Sequence, residues 1–150
     1  MFKEFVYTSF IDANTVKQLI DLSYVWEKED ITFGLRHNEF SDIGEICFIA
    51  LDNDKIIGYI FGNYFINDKN RSYGEIGDEF FDVLELYVLP EYRSQGIGKK
   101  LFSLLEEEVG KEAKYIILST ATKDYKRILK FYAEEVEMTF HDALFFKKTK

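Results

Sequence analysis

Hydrophobic residues fall in short runs of two periods along the chain, and the change of period marks its elements. Residues 2–10 are aromatic and β-branched and read as a first strand. Asp12 then stands where a helix N-cap is needed. Val16, Leu19, Ile20, Ser23 and Trp26 follow on one helical face, until the charged run 27–30 breaks the pattern. Residues 31–40 are polar enough to be mobile, with room for a second short helix. Two strands over 46–51 and 56–64 flank Asp52-Asn53-Asp54-Lys55, which is hairpin-turn chemistry. Gly58 and Gly62 interrupt the second of them and mark bends or close packing. Residues 67–77 are polar and read as a loop, and 80–89 as another strand.

After Gly98, Leu101, Leu104, Leu105 and Val109 keep helical spacing, with Glu106, Glu107 and Glu108 on a solvated face and Gly110 as C-cap. A short strand over 115–118, a helix over 125–135 and two closing strands over 138–140 and 143–147 complete the pattern. No repeat is present. The order predicts one α/β domain over residues 1–150. Its sheet is mixed and mostly antiparallel, with about six to seven strands, flanked by helices.

Composition narrows the function. Hydrophobic residues make up 47% of the 150 and only one proline is present, which supports a single core rather than linkers or disorder. A net charge of −8, from 27 acidic against 19 basic residues, opposes a nucleic-acid partner and is compatible with a cationic small molecule. Cys47 is the only cysteine and lies in an apolar run, so it reads as a buried thiol. His37 and His141 sit in polar segments far apart and read as surface residues, so no metal site is expected. No signal peptide and no membrane-length apolar run is seen, which makes the cytoplasm the default location and leaves no membrane partner.

The chemistry concentrates between Val83 and Phe102. Val83 to Leu89 is an apolar strand apart from Glu85, and Pro90 ends it. Gly96 and Gly98 leave the backbone bare at the start of a helix, whose unpaired N–H groups and dipole suit a phosphate. Lys99 and Lys100 add positive charge. The P-loop spacing is missing, and Leu101 stands where a dinucleotide fingerprint needs its third glycine.

The wider string, Val88 to Leu101, closely resembles the coenzyme signature of the GNAT superfamily of acetyl-CoA-dependent N-acetyltransferases. Arg93, Gly96 and Gly98 match its Gln/Arg-x-x-Gly-x-Gly/Ala core, and Phe131-Tyr132 matches the end of its later Asn-x-x-Ala-x-x-Phe-Tyr pattern. Tyr125 and Ile128 replace the usual Asn and Ala, and Glu137-Met138 the usual Gly-Phe. The resemblance implies a GNAT-like fold and acetyl-CoA as co-substrate. The backbone of Leu86, Tyr87 and Val88 would pair with the pantetheine arm. Arg93, Ser94, Gln95, Gly96, Ile97, Gly98 and Lys99 would hold the pyrophosphate, and a splay beside the 115–118 strand would admit the thioester. Tyr132 is the implied acid for the departing thiolate. Family members are often dimers, so a homodimer is one implied assembly.

Acylating an amine needs a base, because the ammonium form is no nucleophile, and an N–H donor for the charged oxygen. The N–H of Tyr87 or Val88 is the candidate donor. Glu85 leads as base or ammonium ligand, if it faces inward rather than solvent. Asp82 is its rival, on the opposite face unless a bulge intervenes, and Glu79 is a weaker third. The reading is direct transfer of an acetyl group to a primary amine on a polyamine, an aminoglycoside-like compound or a peptide. Residues 25–41 and 67–77 would supply the acceptor site. The alternative is a non-catalytic acyl-CoA-binding or sensing domain, which keeps the glycines and needs neither Glu85 nor Tyr132.

Overall fold

The computed structural model describes residues 4–150. Its elements run β1 (Val6–Thr8), α1 (Ala13–Glu29), β2 (Ile46–Asp52), β3 (Lys55–Ile66), β4 (Glu79–Val88), α2 (Ile97–Val109), β5 (Tyr115–Ile117) and α3 (Tyr125–Lys130). α3 continues as a π-helical turn, Phe131–Glu135. The strands form one sheet in chain order, antiparallel except for the parallel β4–β5 pair. The mixed, mostly antiparallel sheet is as expected, with five strands among the described residues rather than six or seven. Phe2 and Lys3 of the first predicted strand lie outside the described residues.

Local chemistry sets most boundaries. Asp12 caps α1, its Oδ1 accepting from the N–H and the hydroxyl of Thr15, both at 2.8 Å. Asn53 and Asp54 take φ of 48° and 69° in a two-residue turn between the paired Asp52 and Lys55. Two left-handed residues are what a twisted hairpin demands there. The core fills around Ile57, Tyr59, Ile60, Phe61, Leu101 and Leu105, all fully buried. Alternation splits β3 between two layers. Tyr59 receives the Trp26 indole N–H of α1 at 3.0 Å. Its neighbour Gly58 lies on the other face, against Val88 and against Ile97 of α2.

One irregularity organises the functional side of the sheet. Phe61 pairs with Glu85 but Gly62 with Val83, so Leu84 is an extra residue, a β-bulge. A bulge shifts the alternation by one. Glu85 follows Phe61 and Asp82 follows Asn63, which lie two apart on β3, so both carboxylates share one face. β5 pairs with β4 only from Phe80 to Asp82. Beyond the bulge that edge of β4 is open, the splay expected between these strands.

Two predicted features are absent. Residues 31–39 form a loop instead of a short helix, and a single 3-10 turn, Phe40–Asp42, follows. Thr32 of this loop bridges Thr122, with Phe33 N–H to Ala121 O at 2.9 Å and Lys123 N–H to Ile31 O at 2.6 Å. The closing strands over 138–140 and 143–147 do not form, and Leu144, Phe145 and Phe146 are exposed. Glu137, standing where the resembled pattern has glycine, takes φ 58°, and Met138 N–H folds back to Tyr132 O at 2.8 Å. Among the described residues neither segment pairs with the free outer edge of β5, and a short strand left unpaired gains too little to hold.

The glycines separate two kinds of constraint. A Cβ on Gly62 would lie 2.1 Å from the Asp82 carbonyl oxygen, beside the bulge, whereas one on Gly96 would meet nothing within 4 Å but sit at φ 82°. Gly62→Ala is expected to lower unfolding free energy in urea by about 1–3 kcal/mol through overpacking. Gly96→Ala should cost about 1–2 kcal/mol through backbone strain alone. An unchanged urea midpoint for Gly62→Ala would rule out the close approach at the bulge.

Candidate active site

The open edge of β4 is one wall of a cavity of about 690 Å³. The start of α2, the connection over 119–122, the α3 turn and the loop after α1 complete it. Arg93, Ser94, Gly96, Ile97, Gly98 and Lys99 reach it, as do Glu85, Leu86, Tyr87, Val88 and Tyr132. Two predicted site residues do not. Gln95 turns its amide toward Glu91 O at 3.5 Å, and Asp82 lies below the bulge, where β4 is still paired with β5.

Ser94 and Gly96 take φ of 63° and 82°, which coils the loop into the first turn of α2. The first backbone N–H groups of α2 have no intrahelical partner and meet the cavity with the positive end of the dipole. Gly98 lies under Phe131, whose ring carbons would stand 3.4 and 3.5 Å from an added Cβ. The arginine side chain has its own work. Arg93 Nε donates to Val88 O at 2.8 Å, and its guanidinium pairs with Glu29 at 3.2 Å and covers the Tyr87 ring. The Tyr87 hydroxyl also donates to Glu29. These contacts tie the end of α1 to β4 and to the loop.

The alternation of a strand decides which backbone groups are free. Leu89 N–H bonds Ile57 O at 2.9 Å, so Leu89 and Tyr87 turn their peptide groups toward β3. Leu86 and Val88 turn theirs to the open edge, as the Arg93 contact with Val88 O confirms.

Glu85 faces α1 and the cavity, not solvent on an open sheet face. Asn38 Nδ2 donates to both its oxygens, at 2.9 and 2.8 Å, and the Tyr59 hydroxyl donates to Oε2 at 2.9 Å. Trp26 in turn donates to Tyr59. Asn38 is itself pinned, its N–H bonding Ser23 Oγ at 2.8 Å. Burial raises the Glu85 pKa; the bonds from Asn38 and Tyr59 hold it down, and Asp42 pushes it up again. Asp82 is also raised by burial, with Arg71 opposing.

Tyr132 sits on the π-helical turn, its hydroxyl pushed up to about 12 by burial, so it stays protonated at neutral pH. Among the described residues that hydroxyl has no hydrogen-bond partner. Cys47 is buried outside the cavity lining, its thiol also pushed up to about 12. Trp26 and Asn38 fall within the 25–41 stretch expected to supply the acceptor site, without having been singled out, and Tyr59 was not predicted. The polar serine on the apolar face of α1 was a visible sign of a buried polar partner, though not of which one. Among the described residues no cluster of His, Cys, Asp and Glu is placed to hold a metal ion, and no helix is long and apolar enough to cross a membrane.

No curated protein matches the chain. Solved structures share its fold. One is the aminoglycoside acetyltransferase meta-AAC0020 from an uncultured soil metagenomic sample, in complex with trehalose. It has a TM-score of 0.67 and 21% identity, over 98% of this chain and 95% of that one. Another is Arabidopsis thaliana Naa50 in complex with the bisubstrate analogue CoA-Ac-MVNAL, at 0.65 and 24%, over 87% and 80%. A third is AAC(6')-Iy in complex with the bisubstrate analog CoA-S-monomethyl-acetylneamine, at 0.60 and 13%, over 99% and 100%. Residues 13–136 match the model of the Acetyltransferase (GNAT) family. With that match spanning most of its length, the chain belongs to the GNAT acetyltransferase family.

Proposed function

We propose that this protein transfers an acetyl group from acetyl-CoA to a primary amine by direct attack. One observation carries the reading: a single cavity joins the glycine loop, the open edge of β4, Glu85 and Tyr132. The residues fit the co-substrate. Backbone N–H groups from Gly96 to Lys99 would hold its pyrophosphate, and Leu86 and Val88 would pair with its amide-bearing arm. Acetyl-CoA supplies an acyl group activated as a thioester, and solved relatives of this fold carry CoA-derived bisubstrate analogues.

The protein's own groups do the rest. Glu85 takes a proton from the ammonium and frees its lone pair. The Val88 N–H, facing the open edge, is the donor for the carbonyl oxygen; Tyr87, turned to β3, is not. The amine nitrogen bonds the acetyl carbon as the carbon–sulfur bond breaks. The ammonium loses two protons in becoming an amide N–H. Glu85 takes the first, and the second replaces the one Tyr132 gives to the departing sulfur. Cys47, with its raised thiol pKa and its place outside the cavity, takes no acyl group.

CoA release in the presence of acetyl-CoA and an amine panel tests the reading; acetyl-CoA binding without amine-dependent release would refute it. Because Glu85 must be ionised to act, kcat/KM should rise with pH through a limb set above the ordinary carboxylate range. Glu85→Gln should abolish that limb and lower kcat by about 10²–10⁴-fold. Asn38→Ala removes donors that favour the ionised form, so the limb should move to higher pH; a limb in the same place would remove Asn38 from control of the base.

Tyr132→Phe should lower kcat by about tenfold or more with the KM for acetyl-CoA little changed. Wild-type kcat in that variant would eliminate the hydroxyl as the acid.

A further inference from the structure

The cavity carries little of the chain's negative charge. Of 27 acidic residues, Glu85 and Glu135 are the ones that line it, in company with Arg93, Lys99 and Arg127. Glu135 stands exposed on the π-helical turn that bears Tyr132. Arg93 is neutralised by Glu29 and Arg127 by Asp124. Lys99 belongs to the phosphate end, at the start of α2.

Held by the Asn38 amide and the Tyr59 hydroxyl, Glu85 shares the cavity lining with three apolar side chains. Trp26 closes it from α1, Leu35 from the loop that follows, and Leu84 from the bulge. Leu35 is 54% exposed and Leu84 43%, so each presents hydrophobic surface to an entering molecule. Leu84 is the extra residue of that bulge.

A polycation does not suit such a wall. Its first ammonium would meet Glu85, and any further one laid against Trp26, Leu35 or Leu84 would lose water for apolar contacts alone, leaving Asp42, whose charge reaches Glu85, and Glu135 as the other carboxylates of this region. An amine on an aliphatic or aromatic body meets the opposite situation, since its body covers apolar surface that is otherwise wet. We infer that the acceptor is a single primary amine carried on an apolar body, with the ammonium at Glu85 and the body against Trp26, Leu35 and Leu84. This rests on the transferase reading above, and it replaces the polyamine and aminoglycoside-like acceptors that the net charge of −8 suggested.

The test is a comparison of kcat/KM for amine-dependent CoA release. Hexylamine, benzylamine and a short peptide with N-terminal Phe form one set; spermidine, kanamycin and a peptide with N-terminal Lys form the other. At least one of the first set is expected to exceed all of the second by about tenfold or more, the scale of apolar discrimination in a pocket. Which member leads separates a free amine from a peptide terminus as the source. Leu35→Glu, at an exposed position, should lower the preferred substrate's kcat/KM by about tenfold and raise that of spermidine. If spermidine or kanamycin leads in the wild type, the transferase reading stands and the apolar acceptor is overturned. If acetyl-CoA protects the fold thermally yet no amine releases CoA, the transferase reading falls and this inference with it.

Discussion

A half-buried carboxylate is tolerated only where its oxygens find donors, and the donors of Glu85 come from every layer around it. Tyr59 reaches it from β3, Asn38 from the loop after α1, and Trp26 acts from α1 through the Tyr59 hydroxyl. Loss of any one leaves a neighbour's polar atom without its partner. The network therefore fixes how α1 sits on the sheet as much as it fixes the carboxylate. It also sets the protonation of the carboxyl, because burial and donors pull the pKa in opposite directions and burial wins.

The bulge at Leu84 is the second constraint, and it acts through geometry alone. One extra residue rotates Glu85 onto the face of α1, sends Leu84 into the cavity, and coincides with the end of β4–β5 pairing. Gly62 on the facing strand permits the close backbone approach there. The carboxylate's face and the place of Leu84 thus share one cause, beside the point where β4 loses its partner.

Much of this was legible because its signals are local. The Asp12 cap, the Asn53-Asp54 turn and the Arg93-to-Gly98 loop each depend on a few adjacent residues, and each formed where the sequence placed it. The fold class followed from the same periodicities. What depends on distant partners was hidden. Nothing near Glu85 announces that Asn38, 47 residues away, will hold it, and a bulge has no signature in the bulged strand when the glycine that allows it sits opposite. The strands expected over 138–147 did not form although the outer edge of β5 is free, because apolar residues make a strand only once they pair with a neighbour. Net charge sums the whole surface, whereas the cavity samples a few residues of it, so the acceptor was not legible from composition.

The contact of Arg93 with the Val88 carbonyl has a consequence for anything extended that lies along β4. Between Glu85 and Val88 the outward-facing acceptors are those of Leu86 and Val88, and the second is already taken. A strand-like ligand slid by two residues would set its own N–H against a carbonyl with a donor in place. In the transferase proposed above, the loop from Arg93 to Gly98 would therefore work, through its first residue, as a register stop, and the end of the molecule that holds one terminus of the ligand would dictate how far along the sheet the other terminus can travel.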